Sequence, residues 1–415
     1  MVWDRVQQSS RVVGLLAGWL LGCVLSACDD NGDEQAPRAA APADHGPDQP
    51  ELDAAADAAP RDAESSDAAD VPVQDGPRAP VNLGLVPVPS AGPDELVSPV
   101  EQTMAHLETI AAGSRAVSIV RRWDELFSAP TEPRPEAWNE LQSAASLYAD
   151  AGRRVLVSLA IVDRHSDARP VGSPADWSDS GLRQAAEQLI DRTLATFGEE
   201  LEYLSIGREV DRFLQTADSS VGSELVELIS HLLSYSRDHG QLPAATRVGV
   251  SASWQGLTAG SAELEQLLGA SDVVIATYYP LESDFTVREP VAAAGDLQAL
   301  VDSRVVDAGP AQLVLQEVGY PSAEQTGSSE RTQQRFYQSF FQALQSRRDH
   351  FPFVSVYALN DPPVGVCEAD AEASGAEHDE VAVAAWCSMG LRDSDAAPKV
   401  AWETLADALA TFSVP

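Results

Sequence analysis

The sequence predicts a single (β/α)8 barrel, and three observations carry that prediction. From Val81 onward, short β-rich runs alternate with segments whose apolar residues recur at helical spacing. Eight such runs fall within residues 81–415, a length inside the roughly 200 to 400 residues over which closed barrels of this kind are built. No G-x-G-x-x-G turn follows an early strand, as a doubly wound open sheet, the alternative, would want for a phosphate site.

The runs are Val81–Pro87, Ala116–Val120, Arg154–Ile161, Tyr203–Ile206, Arg247–Ala252, Val273–Thr277, Gln312–Leu315 and Phe353–Ala358. Between them the apolar positions repeat every three or four residues, which puts them on one helix face. One face is expected from Val97, Val100, Met104, Leu107 and Ile110, and another from Leu225, Leu228, Ile229 and Leu232. A third holds Phe336, Phe340, Phe341 and Leu344, and Trp402, Leu405 and Leu409 close the chain. Neither a second domain nor an internal repeat is legible.

Ahead of the barrel the composition changes twice. Arg5 and Arg11 flank a polar start, and an apolar run follows from Val12 to Leu25. That run is shorter than the roughly 20 residues a spanning helix needs, so it reads as a cleaved export signal. Its end, Leu25-Ser26-Ala27-Cys28, resembles the bacterial lipobox. The resemblance implies a signal over residues 1–27, cleavage before Cys28, and a lipid on Cys28 that ties the protein to a membrane. Residues 28–80 are rich in Ala, Asp and Pro and almost free of aromatics. Such a tract buries too little apolar surface to offset its ordering entropy and is expected to be a disordered tether. The 415-residue chain carries a net charge of -37, which argues against nucleic acid as a partner, because that needs a basic face.

Of the four cysteines, Cys23 leaves with the signal and Cys28 takes the lipid. Cys367 and Cys387 flank an acidic, helix-poor insert, Glu368 to Val381, and are expected to form a disulfide in an exported protein; two free buried thiols are the alternative. No cysteine or histidine pair has zinc-ligand spacing, so no metal or cofactor is expected.

In such barrels chemistry sits at the C-terminal strand ends. Those ends offer Arg121, Arg122 and Trp123 after strand two, Asp163, Arg164 and His165 after strand three, and Arg208, Glu209 and Asp211 after strand four. Later ends offer Trp254, then Tyr278 and Tyr279, then Glu317, and finally Asn360 and Asp361. His165, in a polar loop, reads as solvated. Glu209 and Glu317 stand out because strands four and seven face each other across the mouth. Two carboxyls about 5 Å apart there suit retaining glycoside hydrolysis, one as acid/base and one as nucleophile. Arg121 or Arg122 would keep the nucleophile charged, and Tyr278 or Tyr279 would hydrogen-bond it. Trp123, Trp254, Tyr279 and Trp386 offer faces for sugar rings, and Asp361 either lines the cleft or caps the following segment.

Three stretches carry a family resemblance. Leu204-Ser205-Ile206-Gly207-Arg208-Glu209-Val210-Asp211 resembles the Gly-Asn-Glu-Val segment that closes strand four in retaining glycosidases with glutamates on strands four and seven. Leu315-Gln316-Glu317-Val318-Gly319-Tyr320-Pro321-Ser322 resembles their strand-seven segment, Glu-x-Gly-Tyr-Pro. Gly390-Leu391-Arg392-Asp393 with Pro398-Lys399-Val400-Ala401-Trp402 looks like their approach to the last helix. The endo-β-1,4-galactanases and β-1,3-glucanases are the nearest comparisons. The resemblance implies a retaining β-glycosidase with Glu209 as acid/base and Glu317 as nucleophile, acting on an external or envelope carbohydrate.

One residue departs from the pattern. The family's asparagine before the acid/base, which holds the sugar 2-hydroxyl, is Arg208 here. Beside Glu209 an arginine would lower the acid's pKa, the wrong direction for a proton donor. Either Arg208 points elsewhere, or it binds a negative group on the substrate, or the barrel has lost turnover. The last case defines the alternative function, an inactive carbohydrate-binding lipoprotein.

Overall fold

The computed structural model describes residues 80–90, 97–238, 242–305 and 312–412. The signal, Cys28 and nearly all of the tether lie outside the described residues. Eight parallel staves form the wall: β1 (Asn82–Leu85), β2 (Ala116–Arg122), β3 (Arg154–Asp163), β4 (Leu201–Arg208), β5 (Arg247–Gly249 and Ser251–Ser253), β6 (Val274–Tyr278), β7 (Leu313–Val318) and β8 (Phe353–Val356). β5 closes the ring in two halves. Its first half pairs with β4 through Tyr203↔Arg247, and its second pairs with β6 through Ile275↔Ser251. β8 returns to β1 through Asn82↔Phe353. The sequence alternation therefore folds as a closed (β/α)8 barrel.

A helix follows each stave: α1 (Pro99–Ala111), α2 (Pro135–Ala151), α3 (Ser180–Phe197), α4 (Ser219–Asp238), α5 (Ala262–Gly269), α6 (Ala292–Val305), α7 (Glu330–Ser346) and α8 (Ala401–Phe412). Their ends follow local chemistry. Ser98 and Glu101 form a capping box on α1, Asp179 accepts from two amides at the start of α3, and Gly152 ends α2 in a left-handed conformation. α7 buries Phe336, Tyr337, Phe340, Phe341 and Leu344 against the barrel, as its spacing requires. α4 likewise buries Leu225, Leu228, Ile229 and Leu232.

α1 differs from its expected face. It buries Ala105, His106 and Thr109, while Val100 is 62% and Met104 47% exposed. The buried face is partly polar: His106 Nδ1 lies 2.6 Å from the buried Tyr148 hydroxyl. The expected helix-poor insert differs as well. Between β8 and α8 the chain forms two helices, Val364–Ala373 and Glu380–Trp386, joined by a disulfide between Cys367 and Cys387.

The floor of the barrel is apolar. Ala116, Leu156, Tyr203, Val273, Ile275, Val314 and Phe353 pack together inside it, and the rings of Tyr203 and Phe353 meet across the lumen at 5.4 Å. β1 and β2 approach closely where Gly84 pairs with Ala116. A Cβ at Gly84 would lie 1.8 Å from the Ala116 carbonyl oxygen. Gly84→Ala should therefore cost at least about 3 kcal/mol, beyond the usual range for a point change. Gly295, exposed in α6 with nothing near its missing Cβ, supplies the control; Gly295→Ala should gain roughly 0.5–1 kcal/mol of helix propensity. Urea unfolding of both variants checks the pair, and equal effects would refute the close approach.

Candidate functional site

β7 brings Glu317 to the C-terminal mouth, where its side chain is 1% exposed. Two donors meet one of its oxygens: Tyr279 Oη at 2.8 Å and Arg208 Nη2 at 2.7 Å, both to Oε2. Gly319 explains how Tyr279 gets there. A Cβ at Gly319 would lie 2.6 Å from the Tyr279 ring, so the glycine of the strand-seven motif makes room for the tyrosine. The next motif residue, Tyr320, anchors the turn, stacking on Phe336 at 4.5 Å and donating to the Arg288 carbonyl at 2.7 Å.

Arg208 is buried and shared among carboxylates. Besides Glu317, its Nη1 lies 3.6 Å from Asp163 and 3.7 Å from Asp370. Arg164 runs alongside, 3.4 Å from Asp163, paired with Asp370, and stacked over Trp386 at 4.6 Å. Tyr357 donates to Asp370 at 3.2 Å. Arg122 completes the cluster 3.6 Å from Asp163. Three guanidiniums thus face three carboxylates. Burial alone would raise the Asp163 carboxyl, but Arg208, Arg164 and Arg122 outweigh it and hold the group below the ordinary aspartate value. Burial and the adjacent Glu317 charge both push the Tyr279 hydroxyl far up, so it stays a donor.

Glu209 leaves the end of β4 differently. Its backbone is left-handed, φ 47° and ψ 52°, a costly conformation for a residue with a side chain. The Thr277 hydroxyl donates to its Oε1 at 2.8 Å, and Arg212 Nε lies 3.9 Å from Oε2. Thr277 stands opposite Glu317 in the β6–β7 register, so a single residue links the two glutamates. They open into different spaces. Glu317, Arg208, Asp163, Arg121 and Arg122 line a cavity of about 550 Å³, whereas Glu209, Arg212, His165, Tyr279 and Trp386 line one of about 290 Å³. Asp370 of the insert lines the first, and Arg164 and the insert's Trp386 line the second.

Several expectations need correction. Of the alternatives open for Arg208, the contacts match the first: it points away from Glu209 to Glu317, the place expected of Arg121 or Arg122. Arg121 instead pairs with Glu140, and Arg122 with Asp124 as well as Asp163. Of the two tyrosines, Tyr279 reaches Glu317, while Tyr278 turns outward to Asp296 at 2.9 Å and packs among Phe336 and Phe340. Trp123 is fully buried and offers no ring face. Trp254 is half-buried against Tyr278 and lies under Arg288. Trp386 is 3% exposed, its ring covered by Arg164 and edge-on to Tyr279 at 5.0 Å. Asp361 lines neither cavity; it accepts from Lys399 at 2.7 Å and from the Gly390 amide at 2.8 Å, joining the third motif to β8. His165 does line the smaller cavity. Asp370 was not anticipated: it sits in the insert, 206 residues from Arg164, and no local pattern marks it. Among the described residues no group of three or more His, Cys, Asp or Glu is placed to hold a metal ion.

No family model matches the chain, and no curated protein matches it. Solved structures do. A GH5_18 protein from Streptomyces cattleya, in complex with GlcNAc, aligns with a TM-score of 0.62 at 14% identity over 81% of each chain. A GH5_18 variant from Bifidobacterium longum, in complex with Manβ1-4GlcNAc, gives 0.61 at 13% over 80% of this chain and 78% of that one. An exo-β-1,4-mannosidase from an Opitutaceae bacterium gives 0.60 at 14% over 80% and 59%. At such identities the likeness establishes the barrel fold.

The Asp361–Lys399 pair has a pH signature. Burial raises the Asp361 carboxyl to about 6 despite Lys399, and burial lowers the Lys399 ammonium. With its folded pKa above the ordinary value, Asp361 takes up a proton in the folded chain before the unfolded chain does. Its contribution to stability is thus present at low pH and lost as pH rises through about 6. Between pH 7 and 5 the parent should gain about 1 kcal/mol relative to Asp361→Asn. Urea unfolding at both pH values tests this, and parallel pH dependence in the two proteins would contradict it.

Proposed function

We propose that this chain is a retaining β-glycoside hydrolase with Glu317 as nucleophile and Glu209 as acid/base. One observation carries the reading. Both donors to Glu317 bind Oε2, which leaves Oε1 without a protein partner among the described residues and free to attack. A guanidinium and a phenol hold the other oxygen in place, so the carboxyl is oriented for attack. In the first step Oε1 bonds to the anomeric carbon, the glycosidic bond breaks, and Glu209 passes its proton to the departing oxygen. In the second, water gives a proton to Glu209 and attacks the same carbon, and the ester to Glu317 breaks. The solved glycoside hydrolases that share the barrel support this reading. Their mannose-containing ligand and mannosidase activity set β-mannosides beside the β-1,4-galactans and β-1,3-glucans that the motifs suggest as substrates.

A second reading is favoured by one feature. The glutamates line separate cavities, Glu317 with the insert's Asp370 and Glu209 with its Trp386, which suits a barrel that binds sugar without cleaving it. Sugar release separates the readings. The full chain is assayed on β-mannosides including Manβ1-4GlcNAc, β-glucosides, β-1,4-galactan and β-1,3-glucan, beside Glu317→Gln and Glu209→Gln. Glu317→Gln should lose at least about 10³-fold in kcat, and Glu209→Gln roughly 10²–10⁴-fold on poor leaving groups. Glycan binding by the parent with no release from any substrate would establish the binder instead.

The protein is exported and held to a membrane by lipid on Cys28, with residues 29–80 as the tether. This extends the lipobox resemblance and the composition of that tract. Cys28→Ser should move the protein from the membrane fraction to the soluble fraction on cell fractionation. Retention of the variant in the membrane would exclude the anchor.

A further inference from the structure

Above the apolar floor the lumen becomes polar. Ser118, Ser158 and Ser355 follow the floor residues Ala116, Leu156 and Phe353 by two positions on β2, β3 and β8, so they share the inward face. Ser251 pairs with the floor residue Ile275. Gln316 sits at the irregularity where β7 shifts register against both neighbours, directly before Glu317. All five side chains are 0% exposed. Among the described residues, none of the four hydroxyls, nor either end of the Gln316 amide, has a hydrogen-bond partner.

That combination is unusual for a barrel interior, where bulky aliphatic side chains normally fill each layer. Serine is smaller than valine or leucine, so the same layer encloses more space, and it is walled by donors and acceptors. Buried polar groups in folded proteins almost always find partners. A primary amide has two donor hydrogens and an acceptor oxygen, which it cannot satisfy by rotating within an apolar wall. Sites that are both roomy and polar, with two to four partners per molecule, hold ordered water.

We infer that the lumen one layer below Glu317 binds a cluster of water molecules, held by Ser118, Ser158, Ser251, Ser355 and Gln316. Ser118 also lines the 550 Å³ cavity, so the cluster is continuous with the space that the glutamate faces. The site belongs to the barrel itself and does not depend on the catalytic reading.

Gln316→Leu in the full chain gives opposite signs for the two possibilities. If the layer is hydrated, the variant strands bound water against a methyl face, and the melting temperature falls by several degrees. If the layer is dry, leucine removes an unsatisfied amide of similar shape, and the melting temperature holds or rises. A steric loss is separated by oxygen-17 relaxation dispersion of the solvent, which reads long-lived internal water. The signal should be smaller in Gln316→Leu and in Ser251→Ala than in the parent, and equal amplitudes would overturn the site. Should the variants fail to fold, a high-resolution crystal structure of the parent decides. Ordered oxygens within hydrogen-bond distance of Ser158, Ser251 and Gln316 support the cluster, and serines turned onto strand carbonyls around an empty lumen refute it.

Discussion

A guanidinium cannot be left alone in a protein interior, and Arg208 is buried in this barrel. Its charge is stable there because Glu317, Asp163 and Asp370 surround it. Breaking such a buried set by removing one partner typically costs about 3–5 kcal/mol, because the remaining charge is stranded. This constraint organises the mouth. β3 must supply Asp163, β7 must supply Glu317, and the insert must fold down to supply Asp370. Arg164 repeats the demand from the neighbouring strand and draws Trp386 over itself. The arrangement that places Arg208 against Glu317 is thus the same one that docks the insert.

The staves were legible because parallel strands buried on both faces read as aliphatic runs, and most of the helices because their apolar stripes are long. α1 shows the limit of that method. Its apolar stripe was visible, yet Val100 and Met104 of that stripe are exposed while His106, which meets Tyr148 of α2, is buried. The site shows a second limit. Glu317 could be placed because its motif fixes both the strand end and the glycine that admits Tyr279. Sequence adjacency to Glu209 left the direction of Arg208 open among three alternatives. Consecutive residues at a strand end point apart, and the left-handed turn at Glu209 increases the separation. Trp123 and Trp386 were expected to present ring faces, yet both complete the packing around the mouth instead. Asp370 lay beyond any local reading, since its partners belong to strands far away in the chain.

The three motif stretches also divide by role. The strand-four and strand-seven segments carry the two glutamates and the groups that touch them. The third does framework work: Arg392 stacks on Trp402 and pairs with Glu108 of α1, and Lys399 ties Asp361 to Ser322. That stretch therefore bears on how the last helix closes the barrel, and the two glutamates sit in the other two.

The bond between Cys367 and Cys387 has a consequence for how this surface can change over time. It makes the excursion after β8 a covalent cassette whose two ends are fixed to each other rather than only to the barrel. Residues inside the ring can be exchanged, added or removed while the path from β8 to α8 keeps its length. Asp370 and Trp386 are the residues through which that cassette speaks to the mouth. Because the ring is closed on itself, changes on its outer, acidic side leave the chain path that closes the barrel unaltered.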